Sequence, residues 1–383
     1  MKVCLIARAD DLFVGSEREK SMNKRRLRVL ALVPYPVGEA PGQRYRIEQW
    51  APYLSELGID IVFAPFADAV LSKILYAPGG FHAKAWRMTL AWVRRLECVW
   101  RDRTFDAIYL YREAALIGPA VLERVAALRN PRVLYDFDDA IWVPYVSPRN
   151  KYLSYLKAAG KTRTICRLAR AVSVGNSTLA SFARRYNSAV TVVPSTVSLR
   201  DYRPRPGPSR EPVPVIGWTG SHSSVQYLQL VAGPLRELAR RKSFRLLLIG
   251  IEAYQVEGVD VECRPWRAES EVEDLWPIDV GIMPLPDDLW ARGKCAMKAI
   301  QYMGIGIPAV VSPVGANLEV IRHGVSGFHA GTEAAWFEAL LRLLDSVELR
   351  TRMGGEGRRR VELEYSAEVQ APRVAELLRG LAG

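Results

Sequence analysis

Short apolar runs that alternate with helical stretches constrain this chain more than any other feature it has. Leu27–Val33 (LRVLALV) is broken only by Arg28 and stops at Pro34, as a strand buried on both faces does. The Pro- and Gly-rich loop PYPVGEAPGQ follows, and Tyr45–Leu57 then carries apolar residues at helical spacing, closed by Gly58. The alternation continues through IDIVFAP, a helical stretch at 84–101, AIYL at Ala107–Leu110, a helix over Ile117–Leu128 and a strand at Val133–Tyr135. A helix over 151–169 and the runs AVSVG and VTVVP complete it. Residues 200–214 (RDYRPRPGPSREPVP) have no period and are dense in Pro and Arg, the mark of a linker. Beyond it a second series runs VIGW, a helix at Val225–Arg241, RLLLIG, VECRPW, DVGIMPL, a helix at Lys298–Met303 and IPAVVSPVG. Helices over Ala334–Leu344, 346–364 and Ala367–Leu381 end the chain.

Parallel strands need crossover connections, and helices supply them. The expected fold is therefore α/β, with two doubly wound Rossmann-like domains facing a central cleft at the carboxyl ends of their strands. The 383 residues divide into an amino-terminal tail (1–22), a first domain (23–203), a linker (204–214), a second domain (215–365) and a carboxy-terminal helix (366–383) returning to the first. The tail reads poorly as structure, and Met22 is the more natural start.

Charge separates the halves. Through residue 200 there are 31 Lys and Arg against 17 Asp and Glu; the remainder has 22 against 24. A basic first half meeting a near-neutral second half points to a polyanion, anionic lipid or phosphorylated ligand on the first domain. Five cysteines (Cys4, Cys98, Cys166, Cys263, Cys295) form no CxxC pair and have no His at ligand spacing, which argues against a zinc site or disulfide framework and fits a reducing compartment. No apolar run reaches the length of a membrane span, and no export signal is evident, so a cytoplasmic location is expected.

The most specific segment is 279–328. A buried strand ends at Leu285, a polar loop follows, a helix begins near Lys294–Lys298, and a second strand leads to a glycine turn at Gly315. A helix amino terminus attracts anions through its unpaired amides, and Lys294 and Lys298 add charge one turn apart, a fitting seat for a diphosphate. Two solvated lysines on a surface helix are the alternative.

This stretch, KAIQYMGIGIPAVVS followed by GANLEVIRHGVSGF, resembles the donor-binding segment of retaining GT-B glycosyltransferases of glycosyltransferase family four (group 1). The passage 171–202 resembles the same family's crossing into the linker. The resemblance implies a hexosyl- or related glycosyltransferase that uses a nucleotide-diphosphate sugar, needs no cofactor or metal, and acts on a glycan or lipid-linked acceptor. It also implies that Gly315 and Glu319 bind donor. The family's two glutamates, separated by seven residues, fall here on Gly293 and Gln301; Gln301 retains a carbonyl for a ribose hydroxyl, whereas Gly293 has no side chain. The arginine and lysine that normally follow the first strand of the second domain are replaced by Gly217-Trp218-Thr219-Gly220-Ser221-His222-Ser223-Ser224. Of these, Gly217, Thr219, Gly220 and Ser221 are expected at the donor phosphates. Lys294 and Lys298 then supply the cationic charge for catalysis.

In the first domain the loop after the first strand faces the cleft. Gly38, Gly42, Arg44 and Arg46 are its acceptor-binding candidates, with ordinary surface arginines as the other reading. Asp136, Asp138 and Asp139 end a strand; they read as an acceptor ligand (Asp136) with a general base (Asp138 or Asp139), as helix caps, or as a metal-binding DxD. His82 stands in a poor context for a base. Along 84–101, Trp86, Leu90, Val93, Leu96 and Trp100 share one face, with Lys84, Arg87, Arg94, Arg95 and Arg101 on the other side. Such a helix either sits on an anionic membrane surface, at the inner face of the cell membrane, or packs in the core with a solvated basic side. Two other functions compete: a non-catalytic glycan-assembly protein that keeps the fold, and a nucleotide-sugar epimerase, for which no convincing acid–base pair stands out. Nucleic-acid binding is not expected, because basic and aromatic residues are not interleaved.

Overall fold

The structure is a computed structural model that describes residues 25–383 apart from 76, 78, 102–103, 145–157, 208–210 and 222–223. Residues 1–22 and the first part of the expected 151–169 helix lie outside the described residues. The first sheet contains β1 (Leu27–Val33), β2 (Ile59–Pro65), β3 (Ala107–Tyr111), β4 (Val133–Phe137), β5 (Ala171–Val174) and β6 (Val190–Val192) in the order β2-β1-β3-β4-β5-β6. The second contains β7 (Val215–Thr219), β8 (Arg245–Ile249), β9 (Asp260–Arg264), β10 (Val280–Met283), β11 (Ala309–Val311) and β12 (Gly327–His329) in the order β12-β11-β10-β7-β8-β9. Every pairing is parallel. Both domains are thus doubly wound α/β units, and β3, β4 and β7 are buried along their full length, which is why they read as largely apolar runs, β4 carrying the one charge, Asp136.

Winding reverses between β1 and β3 in the first sheet and between β7 and β10 in the second. Crevices at such reversals, outside the carboxyl ends of the strands, are where open α/β sheets hold ligands. Both reversals face the cleft between the domains.

Helix limits depart from the sequence reading for local reasons. The Tyr45–Leu57 helix is interrupted at Arg46 (φ −123°, ψ −113°), and its regular part is Gln49–Glu56. The helix expected from Ile117 starts at Val121, because Gly118 turns the chain at φ +85° and Pro119 follows. The Ala367–Ala382 helix lies on the first sheet, burying Ala371, Val374, Leu378 and Leu381 among Val29, Trp50 and Leu54.

The basic helix runs Phe81–Arg101 and is turned differently from a core helix. It buries Met88, Ala91, Arg95 and Val99, while Trp86 (64%) and Trp100 (58%) stay largely exposed together with Phe81, Val93 and Leu96. Arg95 is therefore not on the basic side: its Nη2 donates to Val33 O at 2.9 Å, and burial pushes its guanidinium down to about 10. Arg87 and Arg94 both face Asp68, at 3.7 and 3.0 Å. No helix among the described residues is long and apolar enough to cross a membrane.

Candidate active site

The second domain supplies one wall of the cleft. After β10 the chain forms a strap, 284–296, that leads into the helix Met297–Gly304. Within it Asp288 accepts from Ala291 N at 2.7 Å, capping a single turn, and Arg292 pairs with Asp287 at 2.6 and 3.0 Å. The strap ends at Ala296 in the left-handed region (φ +55°), a conformation that costs a non-glycine residue about 1–2 kcal/mol. The Met297–Gly304 helix has no side-chain cap, so its first amides and Lys298 sit at the same end. Lys298 Nζ lies 5.5 Å from the Trp218 ring centroid, and among the described residues it has neither an ion-pair nor a hydrogen-bond partner. Burial lowers its ammonium to about 7, with Lys294 adding to the effect and Asp139 opposing it. Lys294 itself is 5.3 Å from the Trp290 ring and 3.7 Å from Asp139.

Several expected donor ligands have other duties. Gly217 is buried within β7, where a Cβ would overlap Ile278, so it serves sheet packing and not phosphate approach. The amides of Thr219, Gly220 and Ser221 donate to Tyr302 Oη (3.1 Å), Ile249 O (2.9 Å) and Ser224 Oγ (3.3 Å), which removes the expected amide cradle. His222 and Ser223 lie outside the described residues. Gln301 donates to Tyr45 Oη (2.7 Å) and Tyr202 Oη (2.8 Å), so its amide is held in a polar junction between the domains. Gly315 (φ +54°) passes so close beneath the strap that a Cβ would come within 2.6 Å of Arg292 O. Glu319, exposed, accepts from Ser177 Oγ across the cleft.

The first domain supplies the other wall, and here the sequence reading needs the largest corrections. Arg46 and Asp136 are not acceptor ligands. Both side chains are fully buried and paired to each other, Nε to Oδ2 at 2.8 Å and Nη2 to Oδ1, with Ser173 Oγ also donating to Asp136 and Arg46 Nη1 donating to Val193 O at 2.5 Å. The backbone break at Arg46 accompanies this inward turn of its side chain. Arg44 crosses instead to Glu271 of the second domain, at 2.7 Å, where Tyr45 Oη and Trp266 Nε1 also donate. Gly38 (φ +89°) donates to Glu48 at 2.9 Å in an exposed turn. At Gly42 a Cβ would stand 2.5 Å from Tyr111 Oη and 2.8 Å from Asp138 Oδ2, so the bare Cα seats the loop on that cluster.

Asp138 is nearly buried and accepts from Tyr111 Oη (2.7 Å) and Arg112 Nε (2.8 Å). Burial alone would raise its carboxyl; Arg112 and Arg46 outweigh that and hold it below the usual carboxylate range, which makes it a poor base. Asp139 is half-buried and stands between Arg112 Nη2 (2.9 Å) and Lys294 Nζ (3.7 Å), linking the two walls. Neither aspartate caps a helix, and no group of three or more His, Cys, Asp and Glu side chains that could hold a metal comes together among the described residues. Sequence reasoning missed Arg112. It directly follows the buried run AIYLY with φ +56°, and a charge at a strand's carboxyl end is the same signal that singled out the aspartates.

The walls touch. A Cβ on Gly293 would be 2.5 Å from Ala140 Cβ, so the place where a longer side chain would project is taken by the first domain. Cys295 Sγ donates to Asp138 O at 3.1 Å, and Asn176 Nδ2 reaches Arg292 O (3.3 Å) and Lys294 O (3.0 Å).

Comparison with known proteins agrees with this architecture. Residues 213–346 match the family model of the group 1 glycosyl transferases, and no curated protein matches the chain. Solved structures resemble it along nearly its whole length. A glycosyltransferase from Rickettsia africae is 13% identical, with a TM-score of 0.64, over 94% of this chain and 99% of that one. Sucrose-phosphate synthase from Thermosynechococcus elongatus is 16% identical, with a TM-score of 0.64, over 93% and 99%. Anabaena HepE in complex with UDP and glucose is 13% identical, with a TM-score of 0.62, over 93% and 100%. At these identities the likeness establishes the fold, which is GT-B, and the family-model match is confined to residues 213–346.

Proposed function

We propose that this protein transfers a hexosyl or related sugar from a nucleoside-diphosphate donor to a glycan or lipid-linked acceptor, with retention of configuration and no metal requirement. The observation that carries this reading is Lys298: a desolvated lysine against the Trp218 ring that, among the described residues, has no ion-pair or hydrogen-bond partner, at an uncapped helix start, on the winding reversal of the second sheet. An anion completes such a site, and a diphosphate fits two neighbouring cations, Lys298 on the helix and Lys294 on the strap before it. As the bond from the sugar C1 to the diphosphate breaks, negative charge grows on the leaving oxygen, and Lys298 and Lys294 stabilise it. The acceptor oxygen bonds to C1 and its proton passes to the departing diphosphate, a route that leaves no proton-abstracting task to Asp138.

A thermal-shift screen against nucleotide sugars tests the donor assignment, beginning with UDP-glucose, which the Anabaena protein binds. Transfer to acceptor should then survive EDTA, and Lys294→Ala should lower turnover by about a hundredfold or more. Loss of activity on chelation would refute metal independence. Binding without transfer or hydrolysis would favour a non-catalytic glycan-assembly role, and interconversion of the sugar an epimerase.

The exposed Trp86–Trp100 stripe supports a second part of the reading, a peripheral seat on an anionic membrane surface. Cosedimentation should be stronger with vesicles containing phosphatidylglycerol than with pure phosphatidylcholine, and Trp86→Ser/Trp100→Ser should weaken it several-fold. Equal binding to both vesicles would sink the idea.

A further inference from the structure

Asn176 follows β5 in the first domain and does two things at once. Its Oδ1 accepts from Leu179 N at 2.8 Å and caps the helix Ser177–Ala183, while its Nδ2 donates across the cleft to Arg292 O and Lys294 O at 3.3 and 3.0 Å. The side chain is fully buried and its bond to Leu179 N is buried, while the two bonds to the strap are part-buried. Around it the fit is tight on both sides of the strap. A Cβ on the adjacent Gly175 would overlap Cys295 Sγ, Ala140 fills the space beside Gly293, and the Gly315 turn supports Arg292 from below. The strap carries Lys294 and hands directly to the helix turn carrying Lys298.

We infer that Asn176 is a positioning residue for the donor-site lysines: the first domain fixes the strap through this amide, and the cationic seat of the second domain is complete only while that contact holds. This rests on the reading of the lysines as the diphosphate seat. It makes the acceptor-side domain a part of donor recognition without placing any of its atoms on the donor.

Two replacements separate the cap from the cross-cleft bond. Asn176→Asp and Asn176→Ser both keep an oxygen for Leu179 N, and both remove the amide donor. Peptide-resolved hydrogen exchange on the unliganded full chain should show faster exchange in 290–297 for both variants, with 177–183 unchanged. UDP binding, measured by calorimetry, should weaken by about tenfold, the loss expected for one or two buried hydrogen bonds. Unchanged exchange in the strap overturns the inference, as does equal loosening of 177–183, which would mean the residue is only a cap. A loosened strap with wild-type UDP affinity also overturns it. If the wild-type protein binds neither UDP nor any other nucleoside diphosphate, the failure lies in the donor reading itself, and the role for Asn176 falls with it.

Discussion

Replacing Lys298 with Met should make the unliganded protein more stable and abolish its binding of nucleoside diphosphates. The sign follows from where the proton sits. Lys298 titrates at about 7 in the folded chain and near 10.4 when unfolded, so below pH 7 both states are protonated and folding carries the full cost of a desolvated charge. That cost is roughly 3–5 kcal/mol and fades as pH rises from about 7 towards 10.4, where the unfolded chain also loses its proton. Lys298→Met removes it, so its melting temperature should exceed wild type by the most at pH 7 and below, and converge with it at high pH. Binding runs the other way. An anion raises the lysine's pKa, so association takes up a proton, and wild-type affinity for UDP should fall by up to about tenfold per pH unit between 7 and 9. Lys298→Arg, which keeps its charge, should flatten that slope. A Met variant that is less stable than wild type at pH 7, or a UDP affinity independent of pH, would refute the assignment. A group that destabilises the empty protein and tightens the loaded one is how a site stores strain for its ligand.

Arg46→Met should be the most damaging single change in the first domain, and the damage should be to stability. Removing the guanidinium leaves the buried Asp136 carboxylate without its cation, facing the Ser173 and Tyr109 hydroxyls, and losing one partner of a buried pair costs about 3–5 kcal/mol. Urea unfolding should show a correspondingly lower midpoint. Arg46→Met/Asp136→Asn should recover part of the loss, since the stranded charge is then gone. Vesicle binding and the pH slope of UDP affinity should be those of wild type at temperatures where the variant is folded. Wild-type stability in Arg46→Met would mean that the pair contributes nothing net.

These two lysine and arginine positions also show what a sequence can and cannot reveal. The alternation of strands and helices and the two-sheet plan were legible, though the order of the strands was not, because parallel strands buried on both faces are apolar along most of their length, as AIYL and VIGW are. Lys298 was read from local helix geometry and does stand in the first turn of the Met297–Gly304 helix, whereas Lys294 lies before it on the strap. Arg44 and Arg46 were not legible, although they stand two residues apart in one loop. Their fates are set by partners 227 and 90 residues away, Glu271 and Asp136, and no local pattern carries that information. Asn176 was not singled out either: its cap on the Ser177–Ala183 helix and its bonds to a strap more than a hundred residues later emerge only from the structure.

The placement of the Ala367–Ala382 helix has a consequence for synthesis. This segment is made after the second sheet, yet it covers Val29, Trp50 and Leu54, which are made before it. The first domain is therefore finished only after the second sheet has been made. Throughout translation of the second sheet, the nascent first sheet waits with an apolar face uncovered, a surface that invites chaperones or aggregation. A chain truncated at residue 365 would leave that early face open for good.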